Sequence, residues 1–179
     1  MQNAILEVCM NETSKNPLYV LDRLMALPFC RVHGPEHHLL VGSALLTAYS
    51  NAGGKIELEK SIKDLCTRAS VVPAGTCRFW GACGAGISSG MFMAAIANAA
   101  YPISEVAKIA HRMTSLSLAD ISLYDGPVCC KRSSYLSILK AIDLVKEQFG
   151  IEMEKSEVVC PFSAQYNNCL KEKCPFNKQ

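Results

Sequence analysis

The chain has 179 residues, 50% hydrophobic and 19% charged, with 18 Lys and Arg against 16 Asp and Glu for a net charge of +2. That length suits one compact domain and that hydrophobicity excludes a disordered chain, while the near-neutral balance, without a Lys/Arg stripe or interleaved aromatics, speaks against nucleic acid as a partner. Charged residues fall short of the roughly 25% of an average soluble domain, so some surface that is normally charged is expected to be buried in a core, a cofactor site or a partner interface.

Met1 to Lys15 has no basic leader and carries Glu7 and Glu12 inside what would be a signal peptide's apolar stretch, so the chain is read as cytoplasmic, in a reducing compartment. Apolar spacing predicts helices over about 17–26, 35–51, 58–71 and 88–100. Pro102 and Ser104 open another, with Ile103, Val106, Ala110, Met113 and Leu116 at helical spacing and Glu105 in the first turn, where the macrodipole favours an anion. Ser133 or Ser134 is expected to cap the next, with Tyr135, Ile138, Leu139, Ile142, Val145 and Phe149 on one face and Gly150 as its stop. A short extended piece is expected at Glu157 to Val159, and a cysteine-rich tail follows. The expected fold class is therefore all-α for the most part. One domain, 1–179, would surround a buried central Gly/Ala-rich helix, with the tail 157–179 packed on it.

No charged residue lies from Phe79 to before Glu105, a stretch long enough to cross a bilayer. Gly81, Gly84, Gly86 and Gly90, with Ser88, Ser89 and Asn98, give it low hydropathy for a lone span and would put Gly-rich backbone inside the lipid. A buried interior helix is the better reading, because such a helix is apolar all round.

Ten cysteines against four histidines are the abnormal feature, and in a reducing compartment clustered thiols read as ligands or catalysts before disulfides. Cys129 and Cys130 follow Gly126-Pro127 and precede Lys131-Arg132 at a predicted helix start; helix N-terminus and cations both favour thiolate, the form that binds metal. The bland alternative is a pair of small apolar residues at a turn, with both cations in solvent. In the tail, Cys160-Pro161-Phe162 is echoed by Cys174-Pro175-Phe176 with Cys169 between them, a C-x8-C-x4-C-P spacing. Three thiols are one short of a tetrahedral set, and Cys129 or Cys130 is the candidate fourth ligand. Unrelated tail cysteines are the alternative.

Cys77 to Gly86 runs through Cys83, Gly84 and Gly86 into the apolar helix; its glycines permit an amide nest for an anionic cofactor, or simply a tight turn. With no Walker lysine and no preceding strand, it is no nucleotide fingerprint. His33, Glu36, His37 and His38 gather at a helix start behind Pro35, where a depressed pKa would leave neutral imidazoles able to ligate metal or accept a proton. Ordinary capping with exposed histidines is the alternative. Lys131 joins these four as a candidate for acid–base chemistry.

Taken together, His33–His38 (HGPEHH), Cys77–Gly86 (CRFWGACGAG), Gly126–Arg132 (GPVCCKR) and the tail Cys160/Asn167/Cys169/Cys174-Pro175-Phe176 resemble an uncharacterised cysteine-rich domain family of archaea and anaerobic bacteria. The similarity spans roughly Arg31 to Phe176. The family resemblance implies a SAM-dependent methyltransferase as a partner, attached or nearby, and an anaerobic setting that suits an oxygen-sensitive cluster; it names no reaction. Val128 departs from the basic residue the pattern leads one to expect, which weakens an anion-binding role there.

The leading reading is an iron–sulfur protein, [4Fe–4S] the expected cluster type, with Cys160, Cys169, Cys174 and one of Cys129/Cys130 as ligands and Cys77/Cys83 as a nearby dithiol or second site, performing Lewis-acid or sulfur-handling chemistry. A structural zinc site in an accessory module is the first alternative, since thiolates suit zinc equally. A metal-free thiol oxidoreductase using Cys129 and Cys130 is the second.

Overall fold

The computed structural model describes residues 1–98 and 100–177. Among the described residues, eight α-helices run in the order α1 (Gln2–Asn11), α2 (Pro17–Met25), α3 (His37–Asn51), α4 (Leu58–Ser70), α5 (Thr76–Phe79), α6 (Gly84–Ala97), α7 (Ile103–Ser122) and α8 (Cys130–Phe149), followed by 3₁₀ turns at Ser163–Gln165 and Lys171–Lys173. No strand occurs among the described residues, so the all-α reading holds.

Local chemistry sets the ends. The Asn16 side chain accepts the Leu18 N–H at 3.0 Å ahead of Pro17 at the first helical position of α2, and Gly150 ends α8 in the left-handed region at φ 66°. Three expectations need correction. Helix α8 starts at Cys130, not behind Ser133 or Ser134, because Cys129 caps it by accepting the Arg132 N–H on sulfur at 3.4 Å. The helix expected over 88–100 begins at Gly84 and ends at Ala97, and residue 99 of that span lies outside the described residues. The extended piece expected at Glu157 to Val159 is irregular backbone and not a strand.

The hub is α3, buried from His37 to Tyr49 and packed against α1, α2, α4, α6 and α8. The Gly/Ala-rich α6 is the second buried helix, laid along α7 and across α3. Its small residues let backbones approach: a Cβ at Gly90 would stand 3.3 Å from the Ala110 carbonyl, and Ser89 Oγ meets Ser117 Oγ at 2.9 Å. At the α3–α6 crossing, Gly42 N–H faces Ser88 Oγ at 2.9 Å. Among the described residues, no helix is long and apolar enough to cross a membrane. The tail joins the core through buried Phe162 and Phe176. Because α3, α6 and α8 touch one another near their first turns, the loops that precede them and the tail meet at one end of the molecule.

Candidate functional site

Two neighbouring cavities occupy that end. The smaller, about 20 Å³, is lined by Cys129, Cys160, Cys169 and Cys174. Cys129 comes from the cap of α8; the other three come from the tail, whose two Cys-Pro-Phe repeats are clipped together by the Cys160 N–H donating to the Phe176 carbonyl at 2.7 Å. Backbone amides point at the sulfurs: Arg132 N–H at Cys129 and Lys171 N–H at Cys169, 3.5 Å away. Lys171 takes a left-handed φ of 47° where its amide reaches that sulfur, a conformation rare without glycine. The Phe162 amide likewise bonds the Cys160 sulfur. Rings of Tyr135, Phe162, Tyr166 and Phe176 wall the cavity, Tyr135 and Phe176 meeting edge to face with centroids 5.3 Å apart. The Asn177 Oδ1, also on this wall, is buried without a partner.

Four thiolates on one zinc ion sit about 2.3 Å from it and hence about 3.8 Å apart, which leaves no water-sized gap between them. The void here exceeds the ~10–15 Å³ that admits one water. Among the described residues, no three of these sulfurs lie within 4.8 Å of one another. The four thiols line one void, and a set of four thiolates is the donor set that iron–sulfur clusters and zinc both use.

The larger cavity, about 380 Å³, is lined by His33, His37 and His38 from the approach to and first turn of α3, Cys77 and Arg78 from α5, Cys83 and Gly84 at the start of α6, and Cys130 at the start of α8. Burial holds all three imidazoles below the ordinary histidine value, His37 down to about 4. His38 Nδ1 faces the Val72 carbonyl at 3.3 Å, and only a glycine at 84 leaves room for its ring, since a Cβ there would stand 2.2 Å from Nε2. Tyr166 lines both cavities, packs edge to face on His33 at 4.5 Å between centroids, and with the Cys129–Cys130 peptide forms the partition between them.

Behind the partition lies a third cluster. Lys131, only 1% exposed, places Nζ 3.2 Å from the Met25 carbonyl, 3.2 Å from Cys30 Sγ and 4.0 Å over the Phe162 ring. Cys30, Glu36 and His37 offer ligand atoms all within 4.8 Å of one another, a set able to hold a metal ion. Two cations already serve it: Lys131 at Cys30, and Arg31, whose backbone N–H (2.8 Å) and guanidinium (3.1 Å) bond the Glu36 carboxylate. Burial pushes the Glu36 carboxyl up, but Arg31 and neighbouring amides outweigh it and hold the pKa low.

Compared with protein families, the chain matches the model of a family of unknown function, DUF5714, over residues 5–177. The chain belongs to DUF5714. No curated protein and no solved structure matched it.

In this DUF5714 chain the structure redistributes the residues singled out from sequence. Cys129 joins the three tail cysteines, whereas Cys130 faces the histidine cavity. Glu36 points away from that cavity into its clamp with Arg31, and Lys131 lies on the cage side. Gly86 does not reach either cavity; it packs on α7, where a Cβ would stand 3.1 Å from Leu118. The thiolate expectation for Cys129 and Cys130 is also corrected: burial outweighs the nearby cations and amides and pushes both thiols up, Cys130 to about 11. Nor are Lys131 and Arg132 in solvent; both are buried. All ten cysteines are free. Sequence reasoning missed Cys30, Arg78, Tyr166 and Asn177. Cys30 carries no spacing signal, being a lone thiol between Phe29 and Arg31.

Proposed function

We propose that this chain is a metalloprotein holding an iron–sulfur cluster through Cys129, Cys160, Cys169 and Cys174, with [4Fe–4S] the type that four cysteine ligands suit. The observation that carries the reading is the common void: four thiols from two distant stretches of chain line one small cavity. The surroundings fit the group. N–H donors at the Cys129, Cys160 and Cys169 sulfurs stabilise thiolate charge. The buried Lys131 ammonium opposes the net negative charge of a tetrathiolate centre. The Asn177 Oδ1 is buried without a partner, and the amide turned over would place its NH2 there as a donor to a sulfide.

A cluster bound there supplies an electron-transfer or Lewis-acid centre. The chain's own part is to hold it by four sulfurs, to exclude water with the four aromatic rings, and to separate it by the Cys129–Cys130 peptide and Tyr166 from the cavity of neutral histidines. Anaerobic purification tests this. The expected product is brown, with sulfur-to-iron charge-transfer absorption and matched iron and sulfide, both reduced relative to wild type in Cys160→Ser and Cys174→Ser. A colourless protein carrying only zinc would overturn it.

A further inference from the structure

We propose that the histidine cavity is a second metal site, in which Cys77, Cys83 and Cys130 hold a second iron–sulfur cluster with Nε2 of His38 at its fourth corner. The three thiols come from α5, the cap of α6 and the first residue of α8, and all line this one cavity. They share no ligand with the four-cysteine cage, so the inference stands apart from that reading.

His38 is the observation that points to a metal. It is 7% exposed, and its Nδ1 faces a carbonyl, which only accepts, so Nδ1 carries the proton and Nε2 keeps its lone pair. A backbone carbonyl on the remote ring nitrogen is the arrangement that fixes metal-ligating histidines. Among the described residues no hydrogen-bond partner meets Nε2, which lies beside Gly84 on the cavity. No carboxylate lines the space, whereas Arg78 does, in keeping with an anionic cluster. At about 380 Å³ the cavity has more room than one ion requires. On assembly each thiol gives its proton to solvent, while ferric and ferrous iron and sulfide come from the medium, so that no iron has to change its oxidation state.

The test loads the full chain anaerobically with ferric and ferrous iron in equal amounts and sulfide, and compares wild type with Cys77→Ser/Cys83→Ser and Cys160→Ser/Cys174→Ser. The expected result is that the first pair loses half of the wild-type iron and sulfide while the cage cysteines keep the rest. In loaded wild type, exposed Cys77 should become resistant to alkylation, a measurement that needs no variant to fold. His38→Ala should change the EPR spectrum of the reduced protein. Full iron and sulfide in Cys77→Ser/Cys83→Ser, or alkylation of Cys77 at the same rate with and without loading, overturns the second site. Loss of all iron in Cys77→Ser/Cys83→Ser with none lost in Cys160→Ser/Cys174→Ser supports this site and removes the cage.

Discussion

Replacing His37 by glutamine should make the fold's stability less sensitive to acid. The imidazole is 1% exposed, between Ser134 Oγ at 3.2 Å and the Arg31 carbonyl at 3.1 Å, and burial lowers its pKa from about 6.5 to about 4. The nearby Lys131 charge acts in the same direction, while the Arg31 carbonyl opposes it. Between those two values the unfolded chain binds a proton that the folded chain refuses, so stability falls as pH falls through the window. The gap is worth about 3 kcal/mol. Chemical denaturation of both proteins from pH 7 to pH 4 measures it, since every other titrating group is common to the pair. Wild type should lose about 3 kcal/mol more than His37→Gln over that range, and the difference should level off below pH 4. A difference that stays constant with pH would refute the claim that His37 is buried and neutral.

Lys131→Met should lower the reduction potential of the bound cluster, because removing a buried cation from the cage wall disfavours the more negative reduced state; protein-film voltammetry reads the shift, and an unchanged potential counts against it. Gly42→Ala should destabilise by about 1–3 kcal/mol, as overpacking does, since its Cβ would stand 2.7 Å from Leu65 Cδ2 and 3.1 Å from the Ser88 carbonyl; an unshifted thermal midpoint would show that the α3–α6 crossing has slack. Phe92→Ala, at a fully buried ring on α6, should cost about 3–5 kcal/mol by denaturant titration.

Which features were legible in the sequence follows from how local their physics is. Asn16-Pro17 and Gly150 act within one turn of chain, and they mark the start of α2 and the end of α8 as expected. Helix α1 has no side-chain cap, and α5 is a single turn, so neither announces itself. The start of α8 was misplaced because Lys131-Arg132 has the look of solvent-facing chain, whereas both side chains are buried, one over Phe162 and one beside Tyr124. Composition and spacing drew attention to every thiol and imidazole lining the two cavities and set the tail trio apart from Cys77 and Cys83, but could not choose between Cys129 and Cys130. That Cys129 and Cys130 face opposite sides depends on the turn from an extended cap residue into helix, which depends in turn on where the tail docks.

The central claim is that Cys129, Cys160, Cys169 and Cys174 enclose several metal atoms and not one. X-ray absorption of anaerobically purified Cys77→Ser/Cys83→Ser protein, in which the cage is left intact, measures this directly. The account predicts an iron edge with a sulfur shell and, beyond it, a metal–metal scattering path. A zinc edge whose sulfur shell has no metal behind it would contradict it.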